Sequence, residues 1–145
     1  ILMATSAFMP ICTYYNINND STLKLCFRGL TGIQEQIVYE PKFIWLLFIL
    51  MFISIILFLV IIFLFKNRNL QVSLTFLSIL IIILYTSFIF YLVNDTSNFL
   101  AKDNGYSMMP NYNIYAPFAI IILLLLALRG IKKDENLIKS VDRLR

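Results

Sequence analysis

Three groups of side chains have types and spacings that could do chemistry. They are the cysteines Cys12 and Cys26, the hydroxyl-bearing residues Thr75, Ser78, Tyr85 and Thr86, and the cations Arg129, Lys132, Lys133, Lys139 and Arg143. The chain has no histidine, which removes the commonest general base and the commonest metal ligand. Its four glycines form no phosphate-binding motif. We therefore expect no enzyme activity, no catalytic residue, no cofactor and no metal.

The two cysteines lie in a polar segment, residues 11–41. An oxidising compartment would permit a disulfide between Cys12 and Cys26, and closing that loop would stabilise it by roughly 3 kcal/mol in the chain-entropy model. Two cysteines alone specify no spacing motif. A disulfide and a pair of free thiols therefore remain equal alternatives.

The hydroxyl-bearing residues share one face of a predicted helix. At 100° per residue, Thr75, Ser78, Tyr85 and Thr86 fall within an arc of about 100°. Such a face could line a polar transport pathway, or it could be a packing face where small residues let helices approach closely. A transport pathway usually contains an ionisable residue. The surrounding run, residues 69–94, has none, which favours packing.

The cations belong to a C-terminal segment with helical periodicity. Its apolar residues occupy about 140° of a helical wheel, and most cations lie on the opposite side. A basic amphipathic helix after a membrane span typically lies on the anionic inner leaflet. The alternative is a docking site for a cytoplasmic protein. Nucleic acid is not an expected partner, because acidic residues dilute the bases and the segment lacks aromatic stackers.

The secondary structure that must position these groups can be predicted from the low fraction of charged residues. Of 145 residues, 60% are apolar and 14% charged, with a mean hydropathy of +0.82, whereas a soluble domain carries about 25% charged residues. Three runs contain no charge, residues 43–65, 69–94 and 104–128. Each exceeds the 18 apolar residues that indicate a membrane span. A soluble globular protein is therefore excluded.

We predict an all-α membrane protein, a single domain over residues 1–145 built as a bundle of four transmembrane helices. The first helix is expected to be truncated, and an amphipathic cytoplasmic helix ends the chain. The predicted spans are residues 1–10 (the end of the first), 42–65, 70–93 and 114–131, joined by outer loops at 11–41 and 94–113 and an inner loop at 66–69, with a tail at 132–145. Within the first outer loop, Thr13–Ile17 and Thr22–Phe27 could pair as a hairpin around turn residues.

The placement of the cations indicates an orientation. Lys and Arg concentrate in cytoplasmic loops. Eight of them fall in the 66–69 loop and from Arg129 to the end of the chain, and four fall on the other side. The 66–69 loop and the C-terminus are therefore expected in the cytoplasm. The protein is expected to be a multi-pass protein of the bacterial inner membrane.

Two segments carry a family resemblance. The sequences FKNRNLQ (residues 65–71) and LRGIKKDENLIKSVDRLR (residues 128–145) resemble small four-helix membrane proteins of the Bacteroidota, a family known as domain of unknown function 4293. The resemblance covers nearly the whole chain. It implies an inner-membrane location and this topology, and it implies no activity and no active-site residue.

The expected role is that of an accessory, scaffold or assembly component. Its expected partners are membrane lipids and a membrane or cytoplasmic protein, with homo-oligomers also open. The alternative is a small transport or channel subunit that acts as an oligomer and uses the hydroxyl face of residues 70–93.

Overall fold

The computed structural model describes residues 9–16, 21–32, 37–41, 44–64, 67–101 and 106–143. Within those ranges the chain forms one antiparallel β-sheet and three long α-helices. The strands are β1 (Cys12–Asn16), β2 (Thr22–Cys26), β3 (Gly29–Thr31), β4 (Ile37–Tyr39) and β5 (Tyr106–Pro110). The helices are α1 (Ile44–Phe63), α2 (Arg68–Leu100) and α3 (Ala116–Arg143), with a short 3-10 helix at Tyr112–Ile114 before α3.

The sheet has the strand order β4-β3-β2-β1-β5. The predicted hairpin is confirmed, since β1 and β2 pair antiparallel with Cys12 opposite Leu25 and Tyr15 opposite Thr22. Two residues then link β2 to β3, where Gly29 adopts a φ of 124°. Strand β5 joins the sheet from more than 90 residues away and pairs with β1.

Alternation of side chains gives the sheet two different faces. On β1 and β2 the inward side chains are almost fully buried, among them Cys12, Tyr14 and Leu25. Residues between them, such as Tyr15 and Lys24, point outward and are exposed. One apolar face and one polar face are typical of an antiparallel sheet packed on one side.

The inward face of the sheet packs on the helices. Tyr14 reaches α2 and donates a hydrogen bond to the Val93 carbonyl at 3.1 Å. The ring of Tyr39 stacks on Phe99 near the end of α2, with centroids 4.1 Å apart. The sheet therefore rests on the C-terminal turns of α2.

The three long helices are arranged around α2, which contacts both α1 and α3. Their buried positions recur at helical spacing, as in Leu47, Met51 and Ser54 on α1. The opposite faces are apolar and exposed. By length and composition alone, α1, α2 and residues 112–134 are each able to cross a membrane.

The predicted fold class is wrong. Instead of an all-α bundle of four helices, the described residues form three long helices and a five-stranded sheet. Each charge-free run contributes to a long helix, but parts of the predicted outer loops at 11–41 and 94–113 form strands. The inward side chains of these strands are apolar, and they are buried against the C-terminal turns of α2.

Several predicted boundaries also differ. Helix α2 does not end at Val93 but continues to Leu100, because a polar residue ends a membrane span without ending a helix. Residues 114–131 and the tail are not separate helices, since α3 runs without a break through Gly130 to Arg143. Of the predicted truncated first span, residues 1–8 lie outside the described part of the chain.

Candidate functional site

Among the described residues, strand β5 forms one edge of the sheet, with no further strand beyond it. Its sequence, YSMMP, carries no charge, although natural edge strands are commonly protected by charged residues. Met108 is 39% exposed and Met109 is 58% exposed. Methionine is flexible and polarisable, and it is frequent on surfaces that adapt to protein partners. The edge can therefore accept both backbone hydrogen bonds and side-chain contacts.

The same edge is fixed to the helices by the segment that follows it. The Asn113 amide donates to the carbonyl of Met9 at 2.9 Å and to that of Pro10 at 3.2 Å. Asn113 itself is buried. These contacts join the start of β1 to the residues just before α3, so that the β1–β5 pair has a defined position above the helices.

Tyr39 lies in β4, at the opposite edge of the sheet, and fixes that edge to α2. Its hydroxyl donates to Asp95 Oδ2 of α2 at 2.9 Å. Burial, together with this bond to a carboxylate, raises the pKa of Tyr39. The phenol therefore stays protonated and keeps donating across the physiological pH range.

The hydroxyl-bearing residues predicted to share one helix face lie on α2, and their side chains are buried. Thr75, Ser78, Tyr85 and Thr86 are all at most 8% exposed. Thr75, Ser78 and Thr86 each donate to the carbonyl four residues earlier, at 2.7 to 2.9 Å. A hydroxyl bonded to its own helix has used its only proton. This arrangement suits close packing and leaves these groups poorly placed to bind a passing solute.

The predicted cations all lie on α3, after its apolar part. Arg129, Lys132 and Lys133 are exposed, and their spacing of three and four residues places them on one face. The ammonium group of Lys132 lies over the aromatic ring of Phe76 on α2, with Nζ 5.4 Å from the ring centroid. Lys139 and Arg143 follow on the same helix.

The cysteines lie on neighbouring strands, and no bond joins them in the structure. Cys12 is directly opposite Leu25, so alternation directs the next residue, Cys26, to the other face of the sheet. Cys12 is fully buried, whereas Cys26 is half-buried. Burial raises the pKa of the Cys12 thiol to about 11. The disulfide stays a prediction, and this register makes it geometrically demanding.

We expect the two thiols to differ in reactivity. The thiolate is the reacting form, and below pH 9 a thiol with a pKa near 11 supplies little of it. Folded Cys26→Ser protein should therefore be alkylated at least about tenfold more slowly than folded Cys12→Ser protein. Intact-mass measurement at pH 8 checks this, and both rates should converge after denaturation. Wild-type protein that gains label only after reduction would instead establish the disulfide.

Several important residues were missed by the sequence reasoning. The inward positions of β1 and β2 had a signal, since CTYYN and TLKLC alternate between inward and outward residues. The edge methionines and Phe76 had none, because their roles depend on pairing and contacts across 50 or more residues. Among the described residues, no three Cys, Asp or Glu side chains converge as ligands of a metal ion.

Comparison with known proteins gives one match. The model of the family described as a domain of unknown function (DUF4293) matches residues 1–144. No curated protein and no solved structure matches the chain.

Proposed function

The chain belongs to the DUF4293 family, and we propose that it is a multi-pass inner-membrane protein of the Bacteroidota that acts as an accessory or assembly component. Its helices would anchor it, and its sheet would recruit a second protein on the outer side of that membrane. The observation that supports this most directly is the uncharged β5 strand, which is the edge of the sheet in the described part of the chain, on a sheet that is fixed to the helices.

The partner we propose is a protein that adds an extended segment to β5. Such an interaction takes affinity from main-chain hydrogen bonds and selectivity from alternate side chains. Met108 and Met109 point to opposite faces of the sheet, so they could contact the added segment from both sides. The rigid seat of the sheet on α2 lowers the entropy that the protein loses on binding.

The orientation is proposed on the charge distribution. The sheet lies at the end of the bundle where α1 begins and α2 ends. Arg68, Lys132 and Lys133 lie toward the other end, which the positive-inside rule assigns to the cytoplasm. The C-terminus would then be cytoplasmic, and β5 would be presented on the opposite side.

A purification series tests the role. Protein isolated in mild detergent should carry a stoichiometric partner, which a photo-crosslinker at position 109 should capture. Met109→Lys should lose that partner, because a charge on an edge strand opposes strand addition. The matched control is Thr22→Lys, which adds the same charge to the outer face two strands away.

The transport alternative predicts a different outcome. If purification yields only homo-oligomers, and these release a trapped solute from liposomes, the accessory role is wrong. A partner that Met109→Lys retains as well as Thr22→Lys would contradict the β5 edge as its binding site.

A further inference from the structure

The exposed apolar faces of α2 and α3 lie side by side and end at two cations, and we call the seam between them the groove. Exposed apolar residues recur along each helix on the side where the two helices touch. On α2 they are Phe76, Leu80 and Ile83, and on α3 they are Ile122 and Leu125. Arg129 and Lys132 continue the α3 series at intervals of four and three residues. The groove therefore has apolar walls and a cationic end.

Two contacts fix the register of the helices along this groove. Phe90 meets Phe118 with ring centroids 6.3 Å apart, and Lys132 lies over Phe76. The two contacts are separated by 14 residues on each helix, which is about 21 Å on both. The antiparallel helices therefore keep one register between these two contacts.

The same register places the cations at a membrane depth. Tyr112 and Tyr115 are exposed beside the start of α3, as expected of aromatic residues at a membrane interface. From Tyr112 to Lys132 the chain advances 20 residues, or about 30 Å, which is the thickness of a bilayer hydrocarbon core. Lys132 thus reaches the headgroups of the opposite leaflet, and Arg129 lies one turn deeper.

A bound anion would stabilise cations at that depth. An exposed arginine one turn inside the hydrocarbon boundary is costly unless it is paired. The contact that holds Lys132 is the Phe76 ring, and a cation over a ring keeps its donors free for a second ligand. A phosphodiester can accept from the ammonium and from the guanidinium together.

We propose that the groove between α2 and α3 binds an anionic phospholipid, with its phosphate on Arg129 and Lys132 and an acyl chain along Phe76, Leu80 and Leu125. The site differs from the peripheral surface helix expected from the sequence, because α3 is continuous through Gly130 and the lipid lies along the helices. The inference rests on the membrane placement proposed above and is independent of the β5 partner.

Native mass spectrometry of protein loaded with equal phosphatidylglycerol and phosphatidylcholine of identical chains tests the site. Wild-type protein should retain phosphatidylglycerol preferentially. Arg129→Gln with Lys132→Gln should reduce that preference about fivefold for each cation removed, or about 25-fold in total. Arg129→Lys with Lys132→Arg keeps the charge and should keep the preference. The matched control, Lys24→Gln with Arg28→Gln, removes one Lys and one Arg from the exposed surface of the sheet and should behave like wild type.

Further experiments distinguish an anionic lipid from other molecules that could occupy the groove. Inorganic phosphate at millimolar concentration should leave the bound lipid in place, and displacement by phosphate would overturn the lipid assignment. Equal retention of both lipids by wild-type protein would also overturn it. A lipid-free dimer whose cross-links join Leu80 to its copy would assign the groove to a second chain. Flotation with liposomes tests membrane placement separately, so a failed lipid preference does not count against the proposed function.

Discussion

Tyr14→Ala should destabilise the folded protein by about 3–5 kcal/mol, the range found when a large buried aromatic side chain is removed. Tyr14 is 2% exposed and lies between the sheet and α2. Its hydroxyl bonds to the Val93 carbonyl and lies 3.1 Å from Ser97 Oγ. Truncation would leave a cavity where the sheet packs on α2. The amides of β1 and β5 should therefore lose protection from hydrogen exchange together.

The neighbouring residue is a matched control. Tyr15 has the same side chain, one position along the same strand, but it points outward and is 40% exposed. Tyr15→Ala should cost less than about 1 kcal/mol. Tyr14→Phe should fall between them, at about 1 kcal/mol for the lost hydrogen bonds. Thermal melting in detergent and amide hydrogen exchange measure these effects, and equal melting of the two alanine variants would refute the seating role of Tyr14.

Gly29→Ala should cost more than the small change in side chain suggests. The φ of 124° at Gly29 is strained for any residue with a Cβ atom, at about 1–3 kcal/mol. A Cβ there would also lie 2.7 Å from the Tyr39 carbonyl oxygen, which is a backbone atom. Relief of that contact requires β4 to move away, and Tyr39 carries the hydrogen bond to Asp95. We therefore expect a lower melting temperature and faster exchange at β3 and β4.

Gly130 provides the control for this substitution. A Cβ added at Gly130 meets nothing within 4 Å, and the residue lies inside α3. Gly130→Ala should be neutral or stabilise the helix by up to about 1 kcal/mol. If both alanine variants melt alike, the strain at Gly29 does not limit stability.

The parts of this fold that could be predicted from sequence are those that a single segment determines. A long uncharged run must become a helix in a membrane, because its backbone groups need partners within the segment. The uncharged run at residues 43–65 therefore locates α1 to within a few residues. The β1–β2 hairpin was also local, with turn residues between two short strands.

The rest depends on contacts between distant segments. Strand β5 has no local signal, since Tyr106 to Pro110 become a strand by pairing with β1. Asn94 and Asp95 indicate the end of a span, but α2 continues because Tyr14 and Tyr39 cover and bond to its next turns. In the candidate sites, the cations were visible as charges, whereas the Phe76 ring that positions Lys132 was not.

The length of α2 has a mechanical consequence. Its 33 residues form one helix of about 50 Å, of which a bilayer core accommodates about 30 Å. In the membrane placement proposed above, the remaining turns, which are about 20 Å long, would carry the sheet outside the lipid. Helices tilt when bilayer thickness changes, and a tilt of about 10° would displace the end of this outer segment by about 3–4 Å relative to the membrane surface. In that placement, a change in the thickness of the surrounding lipid would shift the lateral position of the β5 edge.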